Sequence, residues 1–440
     1  MPISILRLNT PSDREQIESL LKRLRLDPVD LALERGRLAE DSAAVKAILK
    51  DVALRGDDAI VEIARRFDDP SFSADQLRVS GAEMKEAAGR VPAKQMAALR
   101  RSIAQVREYQ THVLPKDVEP LRRPGVELGM RFTPLDSAGL YFPGGKAAYP
   151  STLIMLAVPA QVAGVKKIVV CTPPSRYGRS DLVLAACAEL ELDYVFRAGG
   201  AAAIGGMAFG TKAIPAVDKI VGPGNLYVQL AKRLLSGGVG IDGFLGPSEI
   251  VVIADETGDA RFIASDLIAQ AEHDPGSCFL FTTSEQLAAD VSAELQRQSG
   301  LLERLAAIEK ALSSSSAIVV HDSMDELVNL ANRFAAEHVN IQARDERAIL
   351  AKLVHAGAVF LGPYSPVAAG DYVAGPSHCL PTNTTARFTS GISVFEFLKH
   401  GSVERYDASG LAADADAIIA MAKAEHLDGH AASVEIRGKS

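Results

Sequence analysis

The sequence predicts an α/β protein built as two Rossmann-like lobes, one inserted in the other, with a helical N-terminal region and a C-terminal helical arm. Three observations carry this prediction. Beyond Pro134, short β-rich runs alternate with helical stretches, the texture of βαβ units around parallel sheets. The runs fall into two groups, because residues 135–247 are dense in glycine pairs (Gly144-Gly145, Gly199-Gly200, Gly205-Gly206, Gly237-Gly238) and residues 248–378 are not. The first 130 residues carry helical periodicity instead.

Taken in order, residues 1–30 read as an N-terminal helical arm, with Leu20, Leu21, Leu24 and Leu26 set among charges. Residues 43–66 and 82–107 repeat apolar positions at helical spacing. Strands are expected at 168–171, 194–196 and 220–221, followed by a helix at 226–235. A second series is expected at 250–254, 279–281, 318–320, 339–342 and 358–361. Residues 31–134 and 248–380 then make one α/β lobe, with the helical part packed on the later strands. Residues 135–247 make the inserted lobe, and 381–440 a loop-rich, partly helical arm. The four serines at 313–316 read as a loop, and no solenoid-scale repeat is present. The two lobes are candidates for one shared topology.

Composition narrows the function classes. A chain of 440 residues, at about 150 per domain, suggests roughly three domains. Its 47 Lys+Arg against 55 Asp+Glu give a net charge of −8 without a basic block, so it lacks the footprint that phosphate backbones require and nucleic acid is not expected as a partner. The longest apolar stretch, 153–165, is interrupted by Pro159 and Gln161 and falls short of the ~20 residues a membrane span needs. Arg7, Asp13, Arg14 and Glu15 stand where a secretory signal would be apolar. Cys171, Cys187, Cys278 and Cys379 form no CxxC pair and no disulfide framework, so a reducing cytoplasm is the expected location.

Eight of the nine histidines lie at or after position 273, which places any imidazole chemistry in the C-terminal half. Gln270 and His273 are three apart on the last turn of a helix stopped by Asp274-Pro275, a spacing that suits two ligands of one metal ion. A solvated helix end, with the histidine complementing the dipole, is the plainer explanation of the pair taken alone. Glu337-His338 sits where a helical run enters a strand, so an acid and an imidazole could serve as two acid–base groups; a surface pair is the plainer alternative. Asp371 lies in a loop bounded by Gly370, Gly375 and Pro376, where an Asx turn is the competing explanation. Glu425 and His430 follow a helical stretch at 413–424 that Gly429 is expected to end. The match Gly238-Val239-Gly240-Ile241-Asp242-Gly243 fits GxGxxG, but a helix precedes it and a strand follows, the reverse of a dinucleotide fingerprint. Gly222-Pro223-Gly224-Asn225 does join a strand to a helix, a setting for backbone N–H groups to meet phosphate or merely for a tight turn.

Together with Gly139, Tyr141, Gly144-Gly145, Tyr149-Pro150-Ser151, Gly246-Pro247-Ser248-Glu249 and Ser377-His378-Cys379-Leu380-Pro381-Thr382, these segments resemble the histidinol dehydrogenase family, in the family's order from about residue 141 to 430. The resemblance implies two successive oxidations of L-histidinol to L-histidine through histidinal, with two NAD+. It implies one zinc ion (Zn2+) per subunit, held by Gln270, His273, Asp371 and His430, with its remaining positions taken by the substrate. His338 would take the alcohol proton, and Glu337 would activate water. Ser248 and Glu425 would hold the substrate, His378 is a further candidate for contact with it, and Tyr141 and Asn225 would contact NAD. The family is a homodimer whose C-terminal arm crosses to the partner, so Glu425 and His430 would act in trans.

The residue chemistry agrees, since Gln, His, Asp and His offer mixed nitrogen and oxygen ligands suited to zinc, with manganese or cobalt not excluded. The cysteines read as structural, not as an aldehyde trap. One departure matters: the family usually has Gln where this chain has Ala202, so a missing amide worth about 0.5–1.5 kcal/mol predicts weakened or rearranged NAD binding. Two rival readings remain open at this stage: a paralogous zinc- and NAD-dependent dehydrogenase of another polar alcohol, and a zinc hydrolase on the same scaffold. A catalytically silent binding protein would need a damaged metal or Glu-His set, which this sequence does not have.

Overall fold

The computed structural model describes residues 3–25, 27–34, 37–144, 147–243, 246, 248–273 and 275–439; Leu26, Gly145, Pro247 and Asp274 lie outside them. The chain opens with β1 (Ser4–Arg7) and the helix Pro11–Leu24. Four helices (Arg37–Arg55, Asp57–Phe67, Gly81–Arg90, Ala93–His112) lead to a hairpin of β2 (Val118–Arg123) and β3 (Val126–Pro134). The strands β4 (Ser137–Tyr141), β5 (Lys167–Thr172), β6 (Tyr194–Arg197), β7 (Lys219–Val221) and β8 (Gly240–Ile241) alternate with helices. So do β9 (Ser248–Ala254), β10 (Gly276–Thr282), β11 (Ala317–Val320), β12 (His338–Gln342) and β13 (Ala358–Leu361). Last come β14 (Leu398–Tyr406) and the helices Ala408–Ala424 and Asp428–Glu435.

Both parallel sheets share a strand order. One runs β6-β5-β4-β7-β8 and the other β1-β11-β10-β9-β12-β13; apart from the added edge strand β1, each starts at its centre, winds one way, then reverses. Their central strands are apolar runs buried on both faces, as in β9 and β10, which is what helices on both sides of a parallel sheet demand. Each sheet therefore has a topological switch point, between β4 and β7 and between β9 and β12.

Three expectations need correction. Residues 1–30 are not simply a helical arm: β1 pairs with β11 as an edge strand, with Leu6 on one face of the sheet and Ile3 and Ile5 on the other. A strand of four residues is too short to show its period against the leucine-rich helix that follows. The helical region from Arg37 to His112 packs on the other sheet from the one expected. Val45, Leu49 and Ile60 share a core with Val169 and Phe196, while Met84, Leu99 and Val106 share one with Leu140 and Leu153. Neighbours in sequence are usually neighbours in space, and the inserted unit accordingly begins at these helices and ends near β8. The expected helices at 43–66 and 82–107 are each broken in two, at Gly56 (φ +57°) and at Pro92.

The arm also differs from expectation. After two short 3-10 turns (Thr385–Arg387 and Val394–Phe397) it enters β14, which runs antiparallel to β3 over nine paired residues in a three-stranded sheet with β2. The turn between β2 and β3 is Pro124-Gly125, a turn signal in the sequence, with Gly125 at φ +72°. Gly429 does not end a helix: the chain turns at His426 (φ +59°), and Gly429 lies inside the last helix. No helix among the described residues is long and apolar enough to cross a membrane.

Candidate active site

The richest polar cluster lies at the amino ends of β9 and β12. Ser248 and Glu249 open β9 and His338 opens β12, and the register pairing His338 with Ile250 brings Glu337 beside Glu249. Glu337 Oε2 accepts hydrogen bonds from the Ser248 hydroxyl and from Glu249 N, the latter at 3.0 Å. His338 Nδ1 lies 3.2 Å from Glu249 O. A carbonyl only accepts, so Nδ1 carries the proton and Nε2 presents its lone pair, 4.0 Å from Asp371 Oδ1. Burial pushes the His338 imidazole down to about 3 and Glu249 up to about 8. It also holds Glu337 well above the usual carboxylate range, with Ser248 and Glu249 N–H opposing. The pair is thus a neutral base with a fixed tautomer beside an acid that holds its proton tightly.

Gln270 ends the helix Ala260–Ala271, and His273 follows on a turn closed by His273 N–H donating to Gln270 O at 3.2 Å. The turn depends on Gly276, where a Cβ would come within 2.5 Å of Gln270 O and 2.7 Å of His273 O. Gln270 is buried and its Nε2 has no partner, whereas His273 keeps an open surface to solvent; the protein mass around it, and then Arg304, hold its imidazole below its usual range. Asp371, on the short helix Val367–Tyr372, is raised to about 6 by burial.

Among the described residues no lysine or arginine pairs with Asp371, Glu337 or Glu249. This donor set fits a divalent cation: a carboxylate lacking a counter-charge, an imidazole and an amide, where a cation would restore the ionised form of Asp371. Among the described residues no three His, Cys, Asp or Glu side chains stand together as a metal cage, so these residue types alone do not close the set. Glu425 and His430 are exposed on the arm, and no hydrogen bond or ion pair joins either to this cluster among the described residues.

His378 is placed differently from a group free to reach substrate. Its Nδ1 donates to Asp371 O at 2.8 Å, so its Nε2 accepts from Thr152 Oγ1 at 2.9 Å. Burial holds it neutral, down to about 4. Thr152 belongs to the helix Pro150–Ala163, which leaves the carboxyl end of β4. His378 therefore ties the amino edge of one sheet to the carboxyl edge of the other.

At that carboxyl edge, Tyr141 ends β4, buried, with its hydroxyl accepting from Gly200 N at 3.2 Å. Asn225 is exposed and caps the helix Leu226–Leu235 through Val228 N at 3.2 Å. Both flank the switch point where doubly wound sheets take nucleotides. The Gly222 N–H does not face a ligand: it donates to Asp242 Oδ2 at 2.6 Å, and Lys232 Nζ bridges Gly222 O (3.0 Å) and Asp242. Ala202 is 1% exposed inside the core of its lobe. Sequence reasoning missed the Lys232–Asp242 pair and the part played by Thr152. Lysine and aspartate ten residues apart across a glycine-rich turn carry no local signal.

A base of fixed tautomer and a metal-type donor set on one doubly wound lobe, facing the nucleotide edge of another, define a metal-assisted dehydrogenase. A family model for histidinol dehydrogenase matches residues 34–438. The chain is 45% identical over 439 residues to the histidinol dehydrogenase of Rhodopirellula baltica (97% of this chain, 95% of that one). It is 46% identical over 394 residues to that of Gluconobacter oxydans (89% and 92%). The crystal structure of histidinol dehydrogenase from Elizabethkingia anophelis superposes with a TM-score of 0.91 at 32% identity, covering 99% of this chain and 98% of that one. The chain belongs to the histidinol dehydrogenase family, NAD-dependent, zinc-containing oxidoreductases of histidine biosynthesis.

Proposed function

We propose that this protein oxidises L-histidinol to L-histidine through histidinal, on the recess between the two lobes. The observation that carries this reading is the His338 tautomer, with its basic Nε2 turned toward Asp371 and Glu337 beside it. Gln270, His273, Asp371 and His430 would hold zinc, which when bound would supply a Lewis acid to polarise and orient the amino alcohol. Tyr141 and Asn225 would hold NAD, which when bound would supply the hydride acceptor for both oxidations. His338 Nε2 takes the alcohol proton as the hydride leaves carbon, giving the aldehyde. Glu337, ionised when a bound cation offsets the burial that otherwise keeps it protonated, would then take a proton from water whose oxygen adds to the carbonyl carbon. Ser248, already bonded to Glu337, turns its hydroxyl to the substrate, and Glu425 closes the far end.

The exposed arm, whose Glu425 and His430 make no hydrogen bond or ion pair with the cluster of their own chain among the described residues, supports a homodimer whose arms are exchanged, so that these two residues complete the partner's site; the family's biosynthetic role supports a cytoplasmic location. Two measurements test this. Purified protein should form two NADH per histidinol; formation of none rejects the reading. Mixing His338→Ala chains with His430→Ala chains should restore activity that neither has alone, because one of the two composite sites is then intact. No restoration would mean that the arms are not exchanged.

A further inference from the structure

The strand β12 carries a row of polar side chains that a core strand has no structural need for. His338, Asn340 and Gln342 are 4%, 0% and 3% exposed and share one face, since Val339 and Ile341 pack in the core on the other. On that face their neighbours in register are Ile250, Val252 and Ala254 on β9 and Ala358 and Phe360 on β13. The row is thus flanked by apolar side chains on both sides.

It is also unsatisfied. Asn340 Nδ2 donates to Ser365 O at 3.1 Å, but Asn340 Oδ1 and both polar atoms of the Gln342 amide have no partner. Of the eight orphaned buried side-chain atoms among the described residues, these account for three, and Gln270 Nε2 and Glu249 Oε2 in the same lobe for two more. Buried amides in folded proteins are paired with protein or with ordered water. Alternate residues of a strand stand roughly 6–7 Å apart, a gap one water spans. The row has two ends. His338 is at the recess, and Gln342 is the last residue of β12, before exposed Arg344. Ser365 adjoins Tyr364, which is 87% exposed.

We propose that Asn340 and Gln342 hold a file of internal water running from the carboxyl edge of this sheet to the Glu337–His338 pair. This inference rests on the two-step oxidation proposed above. The second oxidation consumes one water: its oxygen bonds to the aldehyde carbon and its proton leaves, before hydride passes to NAD. Substrate and cofactor fill the recess between the lobes at that moment, and the file delivers water from behind. Asn340 and Gln342 are positioning residues; they touch neither substrate nor NAD.

The test separates the two half-reactions in the zinc-loaded protein. Asn340→Leu and Gln342→Met keep side-chain volume and remove the amides. Histidinal oxidation should fall about tenfold, the effect of losing one bridging water, while oxidation of histidinol to histidinal stays within about twofold. NADH per histidinol should drop from two toward one, with released aldehyde trapped by a hydrazine. Asn340→Ser, which keeps a polar group, should restore the second step. Equal loss in both steps, or no loss, overturns the proposal. Should these variants not fold, a high-resolution structure of the wild-type holoenzyme decides: ordered water bonded to Asn340 Oδ1 and the Gln342 amide is expected, and a dry row overturns it. If wild-type protein forms no NADH from histidinol, the two-step reading fails separately, and the water structure still decides the file.

Discussion

The two parallel sheets share the order of five strands, the second adding β1 at its edge, yet they gather their candidate site residues at opposite ends. The inserted lobe presents the carboxyl ends of β4 and β7, with Tyr141 and Asn225, whereas the other presents the amino ends of β9 and β12, with Ser248, Glu249, Glu337 and His338. They also treat buried acids differently. Asp242, fully buried, is matched by Lys232 and by the Gly222 N–H, so its charge is spent on holding a loop. Glu249 and Glu337 have no cationic partner among the described residues and keep their protons. A buried charge that is paired serves the fold, and one left unpaired is available to a ligand.

The largest expected effect breaks the catalytic half of this contrast. His338→Ala should lower histidinol-dependent NADH formation by about 10²–10⁴-fold, the usual contribution of a positioned base. Glu337→Gln should leave the first oxidation and stop the second, as single-turnover NADH bursts would show. Equal loss in both steps would remove Glu337 from water activation.

Next in size is the structural half. Lys232→Met strands Asp242 in the core and should cost about 3–5 kcal/mol, seen in thermal or urea unfolding. Replacing both, as Lys232→Met with Asp242→Leu, should recover much of that loss. An unchanged midpoint for the single variant would show that the pair carries no weight.

The acids without partners should leave a mark on pH. Folding raises Glu249 from an ordinary 4.5 to about 8, so the folded state binds its proton more tightly than the unfolded chain. Its contribution to stability is complete below about 4.5 and is lost as pH rises toward about 8, with Glu337 acting in the same sense. The melting temperature of metal-free protein should therefore fall across this window, and Glu249→Gln should flatten part of the fall. A slope that Glu249→Gln leaves untouched counts against this assignment.

The smallest effect concerns Ala202. Sequence alone predicts that an amide there would strengthen NAD binding, but Ala202 faces the core. Overpacking costs about 1–3 kcal/mol, and a neutral hydrogen bond returns only about 0.5–1.5 kcal/mol. Ala202→Gln should therefore lower the melting temperature without a large drop in KM for NAD. A clear drop in KM at unchanged stability would reverse this ranking.

Much of the fold was legible in the sequence because buried parallel strands are short apolar runs bounded by turns. The runs at 168–171, 250–254 and 339–342 all fall inside observed strands. The helical third was legible as helix but not as to its partner, since periodicity says which face is buried and not against what. Gln270 with His273, and Glu337 with His338, were legible as spacings. Convergence was not, because Asp371 reaches His338 only through the pairing of β12 with β13 and the helix that follows. His378 shows the same limit: a histidine in a polar loop reads as available until both its nitrogens are found engaged.

The edge strand Ser4–Arg7 sets an order on biosynthesis. Its hydrogen-bonding partner is Ala317–Val320, so once Ser4–Arg7 has left the ribosome it must wait for the chain to reach residue 320 before it can pair. At about 5–20 residues per second that delay is on the order of tens of seconds, during which the inserted lobe can mature alone. An unpaired strand edge exposed for so long is a natural client for a chaperone, and truncated nascent chains ending before residue 317 should bind one more avidly than those ending after 320.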